Sequence, residues 1–537
     1  MKKLPVGLQG FKRIIEDDLL YIDKTARIYE LISSGKLYFL SRPRRFGKSL
    51  TISILLELFQ GNRDLFKGLH IAEKEDYDWK PYPVLYFSFN NFGHQPTKLE
   101  ELLDEAIRKY AHEFGVEIAA VELSGRFNNL VENIAKKEKK PVVLLVDEYD
   151  KPIVDFINDL EQAKKNQKVL RDFFSPLKGL ELHGHLHFLF ITGVSKFSKV
   201  SLFSDLNNLT DLSNSKLAHD LTGITHEELL ANFSEHITHA AQEMEVTEEE
   251  LLGAIKMWYN GYSFDGRTRL YNPFSLLSFF LANEFANYWF RTGTPTFLVE
   301  LIRNRQVDPK TLESYKVPDT FFDKFSLEHL ETEGLLYQTG YLTIKKAKRS
   351  LEGNEFYLGY PNKEVRHAFI YNLLEAFTYQ SPAIVGQALL FIKDALKEGD
   401  VEKFITQLNV LLSDLSHFHA PKGKTTPTET DETKIFAMWE GYFHTIIYLI
   451  TSFIGLSVRS EVSKHKGRLD LIAETDNYLY LMEFKLDEPA ENAIQQIKER
   501  DYANSFQNTP KNLVLVGIGF SRNERTVKTW ESEIWER

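Results

Sequence analysis

Three short strings in the first 200 residues bring together side chains suited to phosphate chemistry. In SRPRRFGKSLT, Gly47, Lys48 and Ser49 stand where the apolar run Lys36 to Leu40 gives way to the helical spacing of Leu50, Ile54, Leu55 and Leu58. At such a strand-to-helix turn, backbone amides and the positive helix end hold phosphate oxygens. A lysine then reaches the terminal phosphates and a hydroxyl binds magnesium, which is the logic of a P-loop. Position 42 is Arg where the full pattern has Gly. In VVLLVDEYD, Asp147 and Glu148 close an apolar run. Asp147 would join the magnesium shell of ATP and Glu148 would orient and deprotonate the attacking water. Two carboxylates at the end of an apolar strand favour a cation; the competing reading is a strand stop followed by a helix cap. In FLFITGVSK, Thr192, with Ser195 and Lys196 behind it, would end a further strand as a polar sensor of the γ-phosphate, and a purely structural role competes evenly with that.

A second constellation lies near the C-terminus. GRLDLIA (Gly467 to Ala473) and YLYLMEFKL (Tyr478 to Leu486) read as the strands of a hairpin. Alternation puts Leu481, Glu483 and Lys485 on one face and Met482 and Phe484 on the other, with Glu483 and Lys485 about 7 Å apart at Cα. A lysine beside a carboxylate on an apolar strand is costly if buried without a role. Asp470 can join Glu483 in an oxygen site for magnesium or manganese. Lys485 can position a water or stabilise charge on a phosphorane. Upstream, Glu440 and His444, four apart, share a helix face. The competing reading of the hairpin is an exposed, salt-bridged one.

The elements that must position these residues follow from periodicity. Apolar runs at Lys36–Leu40, Pro83–Phe89, Pro141–Asp147 and His185–Thr192 alternate with helically spaced segments, the pattern of a parallel sheet covered on both faces. From Thr225, which forms a capping box with Glu228, helical spacing dominates to about Thr292, interrupted by Asn260-Gly261 and Asp265-Gly266 in an aromatic insert read as a small hairpin. The stretch from Phe325 to about Leu415 reads as mostly helical, and Ala420–Thr433, rich in Pro, Thr and charge, as a linker. The expected division is an α/β unit bearing the Gly47–Ser49 turn at 1–225, a helical lid or linking region at 226–420, a linker at 421–433 and a unit bearing the Gly467–Leu486 hairpin at 434–537.

Composition bounds the chemistry. A chain of 537 residues has room for several domains, and 43% hydrophobic with 26% charged residues is an ordinary globular balance. With no cysteine, disulfides, thiolate zinc sites, iron–sulfur clusters and cysteine nucleophiles are excluded, so any metal sits on oxygen or nitrogen. The net charge of −11 excludes a protein that coats nucleic acid indiscriminately and leaves local basic clefts open. Pro5, Gly7 and Gly10 interrupt the N-terminus, and the run Tyr442–Val458 falls short of the roughly 20 apolar residues a membrane span needs. The expectation is a cytoplasmic protein with no membrane partner.

SRPRRFGKSL, GLQGFKRIIEDDLLYIDKT, LLVDEYDKPI and FITGVSKFSKVSLFSDLNN together resemble the AAA-ATPase-like family of bacterial and archaeal proteins, over residues 4–225. In that family Arg commonly stands where the leading Gly would be. The resemblance implies an AAA-like parallel-sheet P-loop ATPase in which Arg42, Arg44 and Arg45 flank the phosphates, as guanidinium forks pair well with phosphate oxygens. The order GRLD, hairpin turn, EFK and the helix AENAIQQIKERDYA resembles the PD-(D/E)XK nuclease superfamily, over residues 430–535. It implies a restriction-endonuclease-like α/β domain in which Asp470, Glu483 and Lys485 are the catalytic set and Glu440 and Gln496 support it. Leu precedes Asp470 where the motif's name has Pro.

Other signals carry less. His183, His185 and His187 alternate and could hold a transition metal on one strand face, against a polar strand entrance as the better reading. MWYNGYSFDG could stack bases, against core packing; Arg171 could serve as an arginine finger of a neighbouring subunit in a homo-oligomer, against a surface ion pair. The expected function is an ATP-controlled, magnesium-dependent nuclease acting on nucleic acid, DNA before RNA. The alternative is a nucleotide-dependent switch or scaffold whose nuclease-like domain is inactive and only binds nucleic acid or a protein partner.

Overall fold

Leu37–Ser41 (β1) is apolar without a break because both faces of its sheet are covered. It lies with Val84–Ser88 (β2), Val142–Asp147 (β3), Leu186–Gly193 (β4) and Thr210–Asp211 (β5) in one sheet of order β2-β3-β4-β1-β5, every pairing parallel. Leu37, Phe39, Leu144 and Val146 point into one core, Tyr38, Leu40, Val143 and Leu145 into the other. Lys48–Phe59 (α1) covers the second face through Ile52, Leu55 and Leu58. Leu99–Phe114 (α2), Leu123–Glu138 (α3) and Leu160–Phe174 (α4) cover the first. Parallel strands end on one side, so Ser41, Asp147 and Gly193 share an edge, the crevice where open α/β sheets take their ligands.

The computed structural model describes all residues except 93–97, 197–201, 204–205, 207, 292–301, 303–306, 323–330, 415–431, 456, 465–466 and 536–537. Residues 421–431 of the expected linker therefore lie outside the described residues. The chain divides into two compact units, Met1–Thr294 with Leu312–Arg366, and Pro295–Thr311 with His367–Arg537.

In the first unit the capping box forms as read: Thr225 and Glu228 cap His226–Asn232 (α5) reciprocally. Ser234–Glu243 (α6), Glu248–Tyr259 (α7) and Pro273–Ala282 (α8) follow. The aromatic insert closes as a small antiparallel bridge between Tyr262 and Leu270. Tyr288–Arg291 (α9) and Thr332–Thr339 (α10) come next. The region is helical in the main, with one difference from its spacing: Tyr315–Pro318 (β6), Thr343–Ser350 (β7) and Gly353–Gly359 (β8) form an antiparallel sheet of order β6-β8-β7. In TIKKAKRS only Thr343 and Ile344 are buried, so this strand shows no alternation that would distinguish it from helix.

Lys363–Thr378 (α11) spans the boundary between the units. The second unit continues with Pro382–Glu398 (α12), Val401–Leu412 (α13) and Glu432–Phe453 (α14). Its sheet, Ser457–Lys464 (β9), Gly467–Glu474 (β10), Tyr478–Leu486 (β11), Asn512–Ser521 (β12) and Thr526–Ile534 (β13), has the order β13-β12-β11-β10-β9. Only β11 and β12 run parallel, and Ala490–Glu499 (α15) connects them. Ile494 and Ile497 of α15 pack on Leu479 and Leu481, while Phe484 meets His444 of α14 and Phe520 of β12. Being covered twice, β11 reads as nearly continuous apolar sequence. The architecture is α/β, as expected. Among the described residues no helix is long and apolar enough to cross a membrane.

Candidate active sites

At the first site, β1 runs into a loop that ends at Gly47, the N-cap of α1, with φ of 91°. That left-handed conformation suits glycine and lets the loop turn into the helix. Lys48 is 5% exposed, and its Nζ donates to the carbonyls of Arg42 and Pro43, both at 3.0 Å. Burial pulls its pKa down while Glu148, Asp147 and Asp150 push it up. Asp147 ends β3, and its Oδ1 accepts a 2.6 Å hydrogen bond from Thr192 Oγ1 of β4. Glu148 follows with φ of 54°, a conformation that costs energy in a non-glycine residue and is common at functional sites. Burial raises the Glu148 pKa, and Lys48 beside it and a hydrogen bond from Asn90 act against that. The geometry thus gathers Lys48, Asp147, Glu148 and Thr192 at one sheet edge, with Ser49 one residue into α1.

The arginines divide. Arg42, expected beside the phosphates, is 1% exposed and serves as a structural tie: Nη1 donates to Ser41 and Ser213 carbonyls, Nη2 to that of Ala218, and the guanidinium lies 3.9 Å over Phe264. Burial pushes its pKa down to about 10. A buried arginine and a phosphate-binding one look alike in a string. Arg44 and Arg45 are exposed, Arg45 with φ of 64° and its guanidinium 4.8 Å over Phe274. Thr192 is fully buried and bonded to Asp147, so its hydroxyl orients that carboxylate. Asp150 escaped sequence reasoning. It accepts from the Ser195 amide at 2.6 Å and hydroxyl at 2.7 Å and ties the ends of β3 and β4 together; the second Asp of VDEYD was the cue.

At the second site, β10 and β11 pair from Leu471–Met482 to Glu474–Leu479. Asp470 stands just beyond, and its Oδ2 takes the Phe484 amide at 2.8 Å. Glu483 is 3% exposed; Oε1 lies 3.9 Å from Lys485 Nζ and accepts from Gln496 Nε2, and Oε2 has no hydrogen-bond partner among the described residues. Lys485 Nζ donates to Gln496 Oε1 at 2.6 Å. Burial and then the Asp470 charge push the Glu483 pKa up to about 8; burial lifts Asp470 to about 6. Glu440 is exposed on α14, and its charge also raises Asp470. One turn on, His444 Nε2 is buried without a hydrogen-bond partner, 3.8 Å from Asp470 Oδ2. Sequence reasoning put His444 on the Glu440 face and gave it no role. It missed the positive charges of Lys310 and Arg500, both felt at the carboxylates; Lys310 is too distant in sequence to signal this.

Two raised carboxyls and an orphaned oxygen make a donor set that fits a hard divalent cation, which takes one or two carboxylates and completes its shell with water. Among the described residues no group of three or more His, Asp or Glu stands ready at a metal site. The triple histidine does not form one either: His183 ends a short helix and His187 stacks on Tyr82 at 3.9 Å.

Residues 5–203 match a family described as predicted AAA-ATPase, and residues 438–530 match the PD-(D/E)XK nuclease superfamily. An "Uncharacterized protein in vnfD 5'region" from Azotobacter chroococcum mcd 1 is 36% identical over 531 residues, 98% of each chain. No solved structure matches. With the Gly47–Ser49 turn inside the first matched segment and the Asp470, Glu483 and Lys485 cluster inside the second, the chain belongs to the AAA-ATPase-like family and carries a C-terminal domain of the PD-(D/E)XK nuclease superfamily.

Proposed function

We propose that the N-terminal unit binds and hydrolyses ATP and that the C-terminal domain hydrolyses phosphodiester bonds in nucleic acid, DNA before RNA. The observation that carries this reading is the meeting of Asp470, Glu483, Lys485 and Gln496 beside an orphaned carboxylate oxygen, in a chain that also ends β1 in a lysine-bearing phosphate loop. Ser49 and Asp147 would hold magnesium with ATP, and Asp470 and Glu483 would hold magnesium or manganese at the nuclease site. Such an ion supplies charge neutralisation and acidifies bound water. Lys48 would leave the Arg42 and Pro43 carbonyls for the terminal phosphates, with Arg44 and Arg45 exposed alongside. Glu148 would take the proton of the attacking water, and Thr192 holds Asp147 in orientation. At the second site Lys485 would face the scissile phosphate, kept in place by Gln496, which also holds Glu483.

The functional division that follows is an ATPase at 1–225, a transmitting region at 226–420, a linker at 421–433 and a nuclease at 434–537, in a cytoplasmic protein that is open to self-association. The test is cleavage of single-stranded DNA, double-stranded DNA and RNA with Mg²⁺ or Mn²⁺, with and without ATP, beside Glu483→Ala and Lys48→Ala. Wild type cutting no better than Glu483→Ala on every substrate defeats the nuclease reading. A second reading, the nucleotide-dependent scaffold, draws on the net charge of −11, since nucleic-acid footprints favour Lys and Arg. Divalent-metal titration separates the two, because a scaffold has no need of the carboxylate pair.

A further inference from the structure

Three strings left unexplained by the two sites, Met257–Gly266, Tyr288–Phe290 and Tyr357–Arg366, lead back to the phosphate loop. The loop's carbonyls are held from two directions. Lys48 takes those of Arg42 and Pro43 from within. From outside, Trp289 Nε1 donates to the Arg44 carbonyl at 3.1 Å and the Gly223 amide to that of Phe46 at 3.2 Å. Side chains reinforce the outer grip. The Phe46 ring packs on Tyr262 at 4.8 Å and on Phe264 at 5.5 Å. Gly340 makes room for Pro43, since a Cβ there would come within 2.7 Å of the proline Cβ.

Trp289 is anchored in turn. Its amide donates to Glu364 Oε1 at 2.7 Å, and its ring packs edge-on against Tyr341 at 5.2 Å. Glu364, in the first turn of α11, is fully buried, and its Oε2 has no hydrogen-bond partner among the described residues. A carboxyl there is expensive unless the contact it makes is needed; burial pushes its pKa up to about 7 against the Trp289 amide, which lowers it. When Lys48 turns to a phosphate, the Arg42 and Pro43 carbonyls lose their internal donor. The carbonyls of Arg44 and Phe46 then depend on Trp289 and Gly223 to keep the loop in shape.

We infer that Trp289 and Glu364 are positioning residues for nucleoside triphosphate, holding the phosphate loop open in its binding shape through the Arg44 carbonyl. This rests on the ATP reading of the Lys48 site. Preorganisation of this kind shows in binding more than in the chemical step.

The experiment measures steady-state ATP hydrolysis and ATP affinity by calorimetry for the full chain, Lys48→Ala, Trp289→Phe, Glu364→Ala and Glu364→Gln. Trp289→Phe keeps a ring and deletes one donor; it should raise KM and Kd for ATP about tenfold, the size of one buried hydrogen bond, with kcat within about twofold. Glu364→Ala should do the same, and Glu364→Gln, whose carbonyl still accepts from the Trp289 amide, should restore wild-type values. Loss of binding in Lys48→Ala together with wild-type KM and Kd in Trp289→Phe overturns the inference alone. ATP affinity unaffected in Lys48→Ala overturns the ATP reading and the inference with it. If Glu364→Ala does not fold, Trp289→Phe decides.

Discussion

His444 Nε2 lies 3.8 Å from Asp470 Oδ2, buried and without a hydrogen-bond partner among the described residues. Burial, with the Lys310 and Lys485 charges, holds its pKa down to about 4, so the imidazole is neutral at physiological pH. A neutral ring beside Asp470, the carboxylate proposed to hold the metal, would either orient that carboxylate or offer its lone pair, and either contact would strengthen metal binding. His444→Ala is expected to weaken Mn²⁺ binding by about 10- to 100-fold, the usual effect of removing such a partner. Calorimetric titration of Mn²⁺ into the full-length variant checks it; unchanged affinity removes His444 from the site.

Glu483 presents a trade between stability and chemistry. Its carboxyl is almost wholly buried, faces Asp470 and has one oxygen unpaired. Replacing it with Gln keeps the shape and removes a carboxyl whose pKa is 4.5 in the unfolded chain and about 8 in the fold, so the metal-free protein should gain stability at pH 7, on the order of 3 kcal/mol. The same change should abolish metal-dependent cleavage. Thermal scans in EDTA and the cleavage assay read the two effects; a variant that is less stable in EDTA contradicts the picture of a strained pair.

Lys48 makes a sharper case, because its ammonium donates to two loop carbonyls that it would leave for the phosphates. Hydrogen bonds from a charged donor are among the stronger ones. Lys48→Ala should weaken ATP binding by about 100-fold, corresponding to roughly 2.7 kcal/mol. A nucleotide titration with the same affinity in both proteins would show that the loop does not hold phosphate.

Much of this was legible in the sequence, and what was not has physical causes. β1, β3 and β4 are buried on both faces, so apolar continuity marked them, and the Gly467–Leu486 hairpin was marked by two apolar runs on either side of a polar turn. That Lys48, Asp147 and Glu148 share one sheet edge could be read because each ends or follows such a run. Arg42 was misread because the distinction between pairing with phosphate and pairing with Ser213 and Ala218 carbonyls lies in burial. The partnership of Thr192 with Asp147 depends on the strand order β3-β4-β1, which no local pattern encodes. The β7–β8 hairpin is exposed along most of β7 and left no period to read. Nothing local in the sequence sets Glu364 apart, and its distant partner Trp289 gives it meaning.

That buried acid also shapes the response to pH. The Glu364 pKa is raised from 4.5 to about 7 by burial. Between those values the folded state holds a proton that the unfolded state has lost, so this group's contribution to stability falls as pH rises through the window and levels off above about 7. Each tenfold difference in proton affinity between the two states corresponds to about 1.4 kcal/mol, so the full loss is on the order of 3 kcal/mol. Glu364→Gln cannot titrate, so the loss of stability from pH 5 to pH 8 should be smaller in the variant than in wild type. Asp470 and Glu483 titrate upward of their ordinary range too, but they are present in both proteins and cancel in the comparison. Melting temperatures across that range supply the measurement, and parallel curves for the two proteins would mean that the Glu364 carboxyl is ionised in the fold at no cost.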